Sequence, residues 1–211
     1  MINFRHVSFA LLLAGCSSGQ ERLSLDAATS YFTPGEFVSP ARFTALLNES
    51  RPILDIEFVD LGVAGKLILE QQDGNFARYL SADLGGIVLQ NGMLHSIYGF
   101  GEPLVGAELS QPLALVLAGR AGQADRFLTY VDGEDRTVRR TFRCEVGVQG
   151  LRDVELTTVT VTTLLMSETC QSLTNSFENL YWVDLGRREI IQSRQWVGDR
   201  VGAMVTRVTR P

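Results

Sequence analysis

The chain has 211 residues and a formal net charge of −5 at neutral pH. This length is sufficient for one domain with its own hydrophobic core, and the acidic balance argues against nucleic acid as a partner. His6 and His95 are the only histidines, and Lys66 is the only lysine. Because we expect His6 to be removed with an N-terminal signal peptide, His95 would be the only histidine of the mature chain. A zinc site that uses two or three imidazoles therefore cannot be built, and we expect no metal and no cofactor.

The N-terminal segment predicts export. An apolar run at residues 7–14 has the length of a signal-peptide core, and it is shorter than the ~20 residues of a membrane-spanning helix. It ends in Leu13-Ala14-Gly15-Cys16, which resembles the lipobox of bacterial lipoproteins. We expect cleavage before Cys16 and acylation of that cysteine, and the following Ser17 favours the outer membrane. The alternative is an ordinary secretory signal with a chance cysteine. We expect a signal peptide at 1–15, a lipidated tether at 16–22 and one β domain at 23–211.

Cys144 and Cys170 are the two other cysteines. In an oxidising compartment we favour a disulfide between them over two separate buried thiols. The bridge would close a loop of about 26 residues and contribute roughly 3–4 kcal/mol on the chain-entropy model.

Most of the chain has the pattern of short β-strands. A helix is predicted at 40–48, where Pro40 follows the potential N-cap Ser39. Strands are predicted at 53–59, 66–71 and 76–81. Asn91-Gly92 between two apolar runs is a strong hairpin signal, because both residues tolerate positive φ. The glycine-rich residues 99–109 have the composition of a loop, and 112–118 are apolar but too short to assign.

Two more hairpins follow, with turns at 132–135 and 185–188. Residues 154–166 are so rich in β-branched side chains that we predict a strand there, and 204–208 form the last one. About nine or ten short strands with turn signals between them indicate an all-β protein. We expect a single antiparallel β-barrel or sandwich-like domain with one or two short helices.

The chain offers few catalytic patterns. Asp55 and Glu57 share one face of a predicted strand and could form the carboxylate pair of a glycosidase. His95 lies two residues from Met93 and from Ile97, so a regular strand would turn all three to the same side, and we expect a partly buried structural histidine. The acidic turn at 132–135 lacks the ligand spacing of a calcium loop and is interpreted as a solvated turn.

The hairpin at 178–197 contains a candidate binding surface. Its aromatic and polar side chains could stack on sugar rings or bind a partner, although cross-strand aromatic pairs are also common in ordinary sheets. The candidate residues for this glycan or partner surface are Tyr181, Trp182, Arg194, Gln195 and Trp196.

The same hairpin resembles a known family. Residues 179–198, NLYWVDLGRREIIQSRQWVG, are similar to the closing motif of the YjbF/GfcB lipoproteins, with its Tyr-Trp and Ser-x-Gln-Trp. Residues 89–104, LQNGMLHSIYGFGEPL, resemble that family's Asn-Gly hairpin and the Gly-x-Gly turn after it. The resemblance implies a β-barrel-like outer-membrane lipoprotein associated with exopolysaccharide or group 4 capsule. It implies no catalytic residues.

These observations favour a non-enzymatic accessory lipoprotein of polysaccharide production or export. We expect it on the periplasmic side of the outer membrane, held by lipid on Cys16. It would act by binding export or assembly proteins, or the polysaccharide itself. The alternatives are a periplasmic glycan-modifying enzyme that uses a carboxylate pair such as Asp55 and Glu57, and a purely structural envelope lipoprotein.

Overall fold

A computed structural model describes residues 40–101, 103–156 and 159–209. The expectations for the signal peptide, for Cys16 and its tether, and for Ser39 as a helix cap lie outside these residues. Within them, neither helix is long and apolar enough to cross a membrane.

The described chain forms one closed antiparallel barrel of twelve strands, which confirms the predicted all-β class and selects the barrel over the sandwich. Each strand pairs with its neighbours in sequence, and β1 pairs with β12 to close the ring. The strands are β1 (Ile53–Phe58), β2 (Val63–Asp73), β3 (Phe76–Leu80), β4 (Gly86–Gln90), β5 (Met93–Tyr98), β6 (Leu104–Glu108), β7 (Gly122–Val131), β8 (Thr137–Glu155), β9 (Thr160–Gln171), β10 (Ser176–Asp184), β11 (Glu189–Gly198) and β12 (Gly202–Thr209).

Two short helices accompany the barrel. Helix α1 (Ala41–Leu47) lies where a helix was predicted, and it packs Phe43 and Leu46 against Ile68 and Leu80 of the sheet. Helix α2 (Ser110–Leu117) occupies the apolar segment that could not be assigned from sequence. Its side chains Leu113 and Val116 enter the main core, and the helix contacts β7, β8 and β10, so it covers one opening of the barrel.

The number and the bounds of the strands differ from the sequence expectations in three places. The described chain has twelve strands where nine or ten were expected. Residues 99–109 are not all loop, because β6 follows two positive-φ glycines and turns Leu104 and Ala107 into the core. Residues 154–166 do not form one strand, since the chain reverses between Glu155 and Thr160. No glycine or proline marks that reversal.

The barrel interior is filled with side chains. Its core contains apolar residues from all twelve strands. Strands β5 and β11 also contact each other across the interior, so the ring is flattened. A Cβ atom on Gly92 would lie 2.6 Å from Cβ of Ile190, which shows how closely the Asn-Gly hairpin approaches β11. Wider barrels enclose a channel, whereas packed side chains fill the interior of this one.

Candidate functional site

The barrel wall separates the five residues of the candidate surface. Tyr181 and Gln195 each have 0 % exposed surface and belong to the interior. Trp182 and Arg194 alternate with them and lie half-buried on the outer face. The prediction that all five form one surface is wrong for Tyr181 and Gln195, because successive side chains of a strand point to opposite faces.

Gln195 joins two strands across the barrel interior. A register shift between Val88 and Leu89 interrupts the ladder beside Leu94. The N–H of Leu94 instead donates to Oε1 of Gln195 at 2.7 Å, and Nε2 of Gln195 donates to the carbonyl of Gly92 at 3.1 Å. The side chain thereby satisfies buried backbone groups of the Asn-Gly hairpin, so its role is structural.

Trp196 is half-buried in an aromatic cluster. Its ring stacks on Phe177 with centroids 4.5 Å apart, and it meets Phe142 edge-on at 5.9 Å. Its backbone N–H donates to Oδ1 of Asn179 at 2.7 Å. One face of the indole is thus covered by Phe177, and the ring forms part of the packing of this cluster.

A buried charged cluster lies inside the barrel, and its residues are not among those predicted from the sequence. Arg126 and Glu168 form an ion pair at 2.7 Å, with exposures of 1 % and 0 %. The same Glu168 oxygen, Oε2, also accepts from Tyr181 Oη at 2.6 Å and from Asn179 Nδ2 at 2.8 Å. A signal was present, because Arg126 and Glu168 occupy inward positions among apolar residues of their strands.

Protonation in this cluster follows from burial and charge. Burial raises the pKa of Tyr181 well above its usual value, and the negative charge of Glu168 raises it further, so the phenol stays neutral. Burial lowers the pKa of Arg126, but the charge of Glu168 and the interaction with Tyr181 outweigh this effect and leave the pKa raised. The guanidinium is therefore a permanent buried cation that depends on Glu168.

The disulfide between Cys144 and Cys170 is present, as favoured from the sequence. It links directly opposed residues of β8 and β9. Glu168 is close to both sulfurs, and these three residues are the one group of potential metal ligands found in the described chain. Because both cysteines are oxidised, the group offers no thiolate to a metal.

The carboxylates Asp55 and Glu57 lie on the outer wall. Asp55 forms an ion pair with Lys66 and accepts a hydrogen bond from Thr209 at 3.0 Å. Glu57 is exposed, and both line an open surface depression rather than a cleft between two walls. A glycosidase holds its two acids on opposite sides of a bound sugar, and this arrangement does not provide that.

The acidic turn at 132–135 is held by its own hydrogen bonds. Backbone N–H groups of Arg136 and Glu134 donate to Oδ1 of Asp132, and these bonds lower the pKa of its carboxyl group. Arg136 also forms ion pairs with Asp132 and Glu134. The carboxylates of Asp132 and Glu134 therefore bind groups of the turn itself, which agrees with the prediction of a turn rather than a cation site.

His95 lies at the irregular position of β5 and faces outward, unlike Met93 and Ile97. The expectation that these three residues share a face is wrong, because the register shift beside Leu94 breaks the alternation. The His95 ring meets Phe76 edge-on at 5.1 Å, and its Nδ1 is 3.0 Å from the carbonyl oxygen of Ala107. The histidine is partly buried, as expected.

Comparison with known proteins assigns the family. The family described as "Group 4 capsule polysaccharide lipoprotein gfcB, YjbF" matches residues 56–208, which include all of the barrel except its first three residues and its last one. The chain belongs to this YjbF family. A crystal structure of the hypothetical lipoprotein YmcC from Escherichia coli (K12) is similar in fold, with a TM-score of 0.68 and 18 % identity over 92 % of this chain and 98 % of that chain. None of the curated proteins matches.

The two YjbF-like segments of the sequence meet in the structure. The Asn-Gly hairpin and the Ser-x-Gln-Trp motif are joined through Gln195, and Ser193 of the same motif contacts the hydroxyl of Thr206 at 2.6 Å. These motif residues hold the flattened barrel together. Of the candidate surface residues, Trp182 and Arg194 lie on the outer wall, and their part in binding a glycan or a protein stays a prediction.

Proposed function

We propose that this YjbF-family protein is a lipid-anchored accessory protein of capsule or exopolysaccharide production, acting in polymer export. The match of the capsule polysaccharide lipoprotein family to residues 56–208 carries the proposal. The lipobox-like Leu13-Ala14-Gly15-Cys16 supplies the anchor. Lipid on Cys16 would hold the barrel on the periplasmic side of the outer membrane.

The filled interior supports a role in binding rather than conduction. A polymer cannot thread a barrel whose core is packed and whose β5 and β11 touch. The protein would therefore contact the polysaccharide, or an export or assembly protein, with its outer wall. Asp55 lies on an open surface and already pairs with Lys66 and Thr209, which supports a binding role over glycoside hydrolysis.

Complementation of a deletion strain tests the proposal. Cell-surface polysaccharide is measured after restoring the wild-type chain, the Cys16→Ala variant, or an Asp55→Asn variant as a matched single substitution on the barrel. We expect deletion to abolish surface polymer, with recovery by wild type and Asp55→Asn but not by Cys16→Ala at equal protein level. Normal surface polymer in the deletion strain would refute an accessory role, and full recovery by Cys16→Ala would refute the anchor.

A further inference from the structure

The outer wall contains a polar groove of 390 Å³ away from the predicted surface hairpin. Its volume is within the range of roughly 300–1,000 Å³ typical of small-ligand sites. Adjacent strands β2 to β6 all contribute to it. The side chains that matter for the argument are Gln71, Asp73, Phe76, Arg78, His95 and Ser96.

The groove lies where the barrel wall is irregular. Register shifts occur in two pairs of strands that line the groove, β2–β3 and β4–β5. Bulges increase the local twist and re-aim side chains, and they are frequent next to binding sites. Here the shift in β5 turns His95 outward toward Phe76, which places its ring among the residues that line the groove.

The hydrogen bond at Nδ1 of His95 determines whether Nε2, on the other edge of the ring, is a donor or an acceptor. The carbonyl oxygen of Ala107 can only accept, so Nδ1 of His95 must donate to it. In the neutral imidazole, Nε2 is then an acceptor. Gly106 lies beside this edge, and even a Cβ atom there would be only 3.9 Å from Nε2. The missing side chain leaves the acceptor uncovered on that side.

We propose that this groove binds one or two pyranose units of the polysaccharide, an inference that rests on the proposed function. The half-buried Phe76 supplies an apolar ring for the C–H face of a sugar. Nε2 of His95 accepts from one hydroxyl. Asp73, Gln71 and Arg78 supply an acceptor, an amide and a cationic donor for neighbouring hydroxyl or acidic groups.

Binding of defined oligosaccharides tests the groove. The probes are di- to tetrasaccharides prepared by partial hydrolysis of the strain's own polysaccharide, titrated into the full mature lipoprotein in detergent. Phe76→Ala removes the stacking ring. His95→Asn keeps an amide that can donate to Ala107 but removes the Nε2 acceptor. Trp182→Ala tests the competing candidate surface, because it removes a half-buried outer-wall aromatic on β10 that does not line the groove.

We expect about tenfold weaker binding for Phe76→Ala and for His95→Asn, the effect of losing one favourable contact, and unchanged binding for Trp182→Ala. Gly106→Val should also weaken binding, since its side chain would cover Nε2 without removing any groove residue. Thermal unfolding of each variant establishes that the fold is retained.

Other outcomes separate this inference from the proposed function. Loss of binding only in Trp182→Ala would overturn the groove and keep a glycan-binding protein. No binding by the wild-type chain would overturn the groove as well, while the deletion phenotype would decide the accessory role independently. Equal binding by wild type, Phe76→Ala and His95→Asn would also overturn it.

Discussion

Replacement of Glu168 by Gln should destabilise the barrel strongly. The substitution keeps the shape and an accepting oxygen but leaves Arg126 as a buried cation without a counter-charge. Breaking a buried ion pair in this way costs about 3–5 kcal/mol. At roughly 2–4 °C per kcal/mol for a chain of this size, the melting temperature should fall by about 6–20 °C.

The double variant Arg126→Met/Glu168→Gln tests the reason for that loss. It removes the cation while the new amide oxygen can still accept from Tyr181 and Asn179. Nε of Arg126 and Oε1 of Glu168 have no hydrogen-bond partner among the described residues, so the native pair is incompletely satisfied. We therefore expect the double variant to lie within about 1 kcal/mol of wild type.

Urea denaturation followed by tryptophan fluorescence is a suitable assay, because the Trp196 ring packs against the buried rings of Phe142 and Phe177. Asp55→Asn is the matched control, since it makes the same chemical change in the exposed pair with Lys66 and should cost at most about 1 kcal/mol. A loss below 1 kcal/mol for Glu168→Gln, or a double variant less stable than Glu168→Gln, would refute the reasoning.

Three further predictions concern the disulfide, the hydrogen bonds of Gln195 and the carboxylates of β1. Cys144→Ser should lower the melting temperature by roughly 6–16 °C, because it opens a loop closed over a separation of 26 residues, and an unchanged midpoint in calorimetry would contradict the loop argument. Gln195→Ala should cost about 1–3 kcal/mol in urea denaturation by leaving the N–H of Leu94 unsatisfied, whereas a neutral effect would show that the bond is dispensable. The double variant Asp55→Asn/Glu57→Gln should restore full surface polysaccharide in the deletion strain, and a folded but inactive variant would instead support an enzyme.

Much of the barrel follows from local sequence signals. Asn91-Gly92 and the turns at 132–135 and 185–188 all connect paired antiparallel strands, because turn chemistry acts within a few residues. The reversal between Glu155 and Thr160 was missed because its surroundings are rich in residues that favour extended backbone. Helix α2 was not assigned because its eight residues are too few to establish a period.

The sites were harder to predict than the strands. Alternation alone could have placed Tyr181 inside the barrel, once its neighbours Asn179 and Val183 were recognised as inward. The Arg126–Glu168 pair joins residues 42 positions apart on β7 and β9, so it depends on how both strands pair with β8 between them. The outward turn of His95 depends on a register shift, which leaves no mark in a single sequence.

The distribution of polymer across the envelope tests the central claim most directly. Cells with and without the chain are fractionated, and polysaccharide is measured in the cytoplasm, in the periplasm and at the surface, with its chain length. The account predicts that cells lacking the chain retain polymer of normal length inside the envelope and lose it from the surface. Normal surface polymer, or surface polymer of altered length, would contradict an accessory role in export.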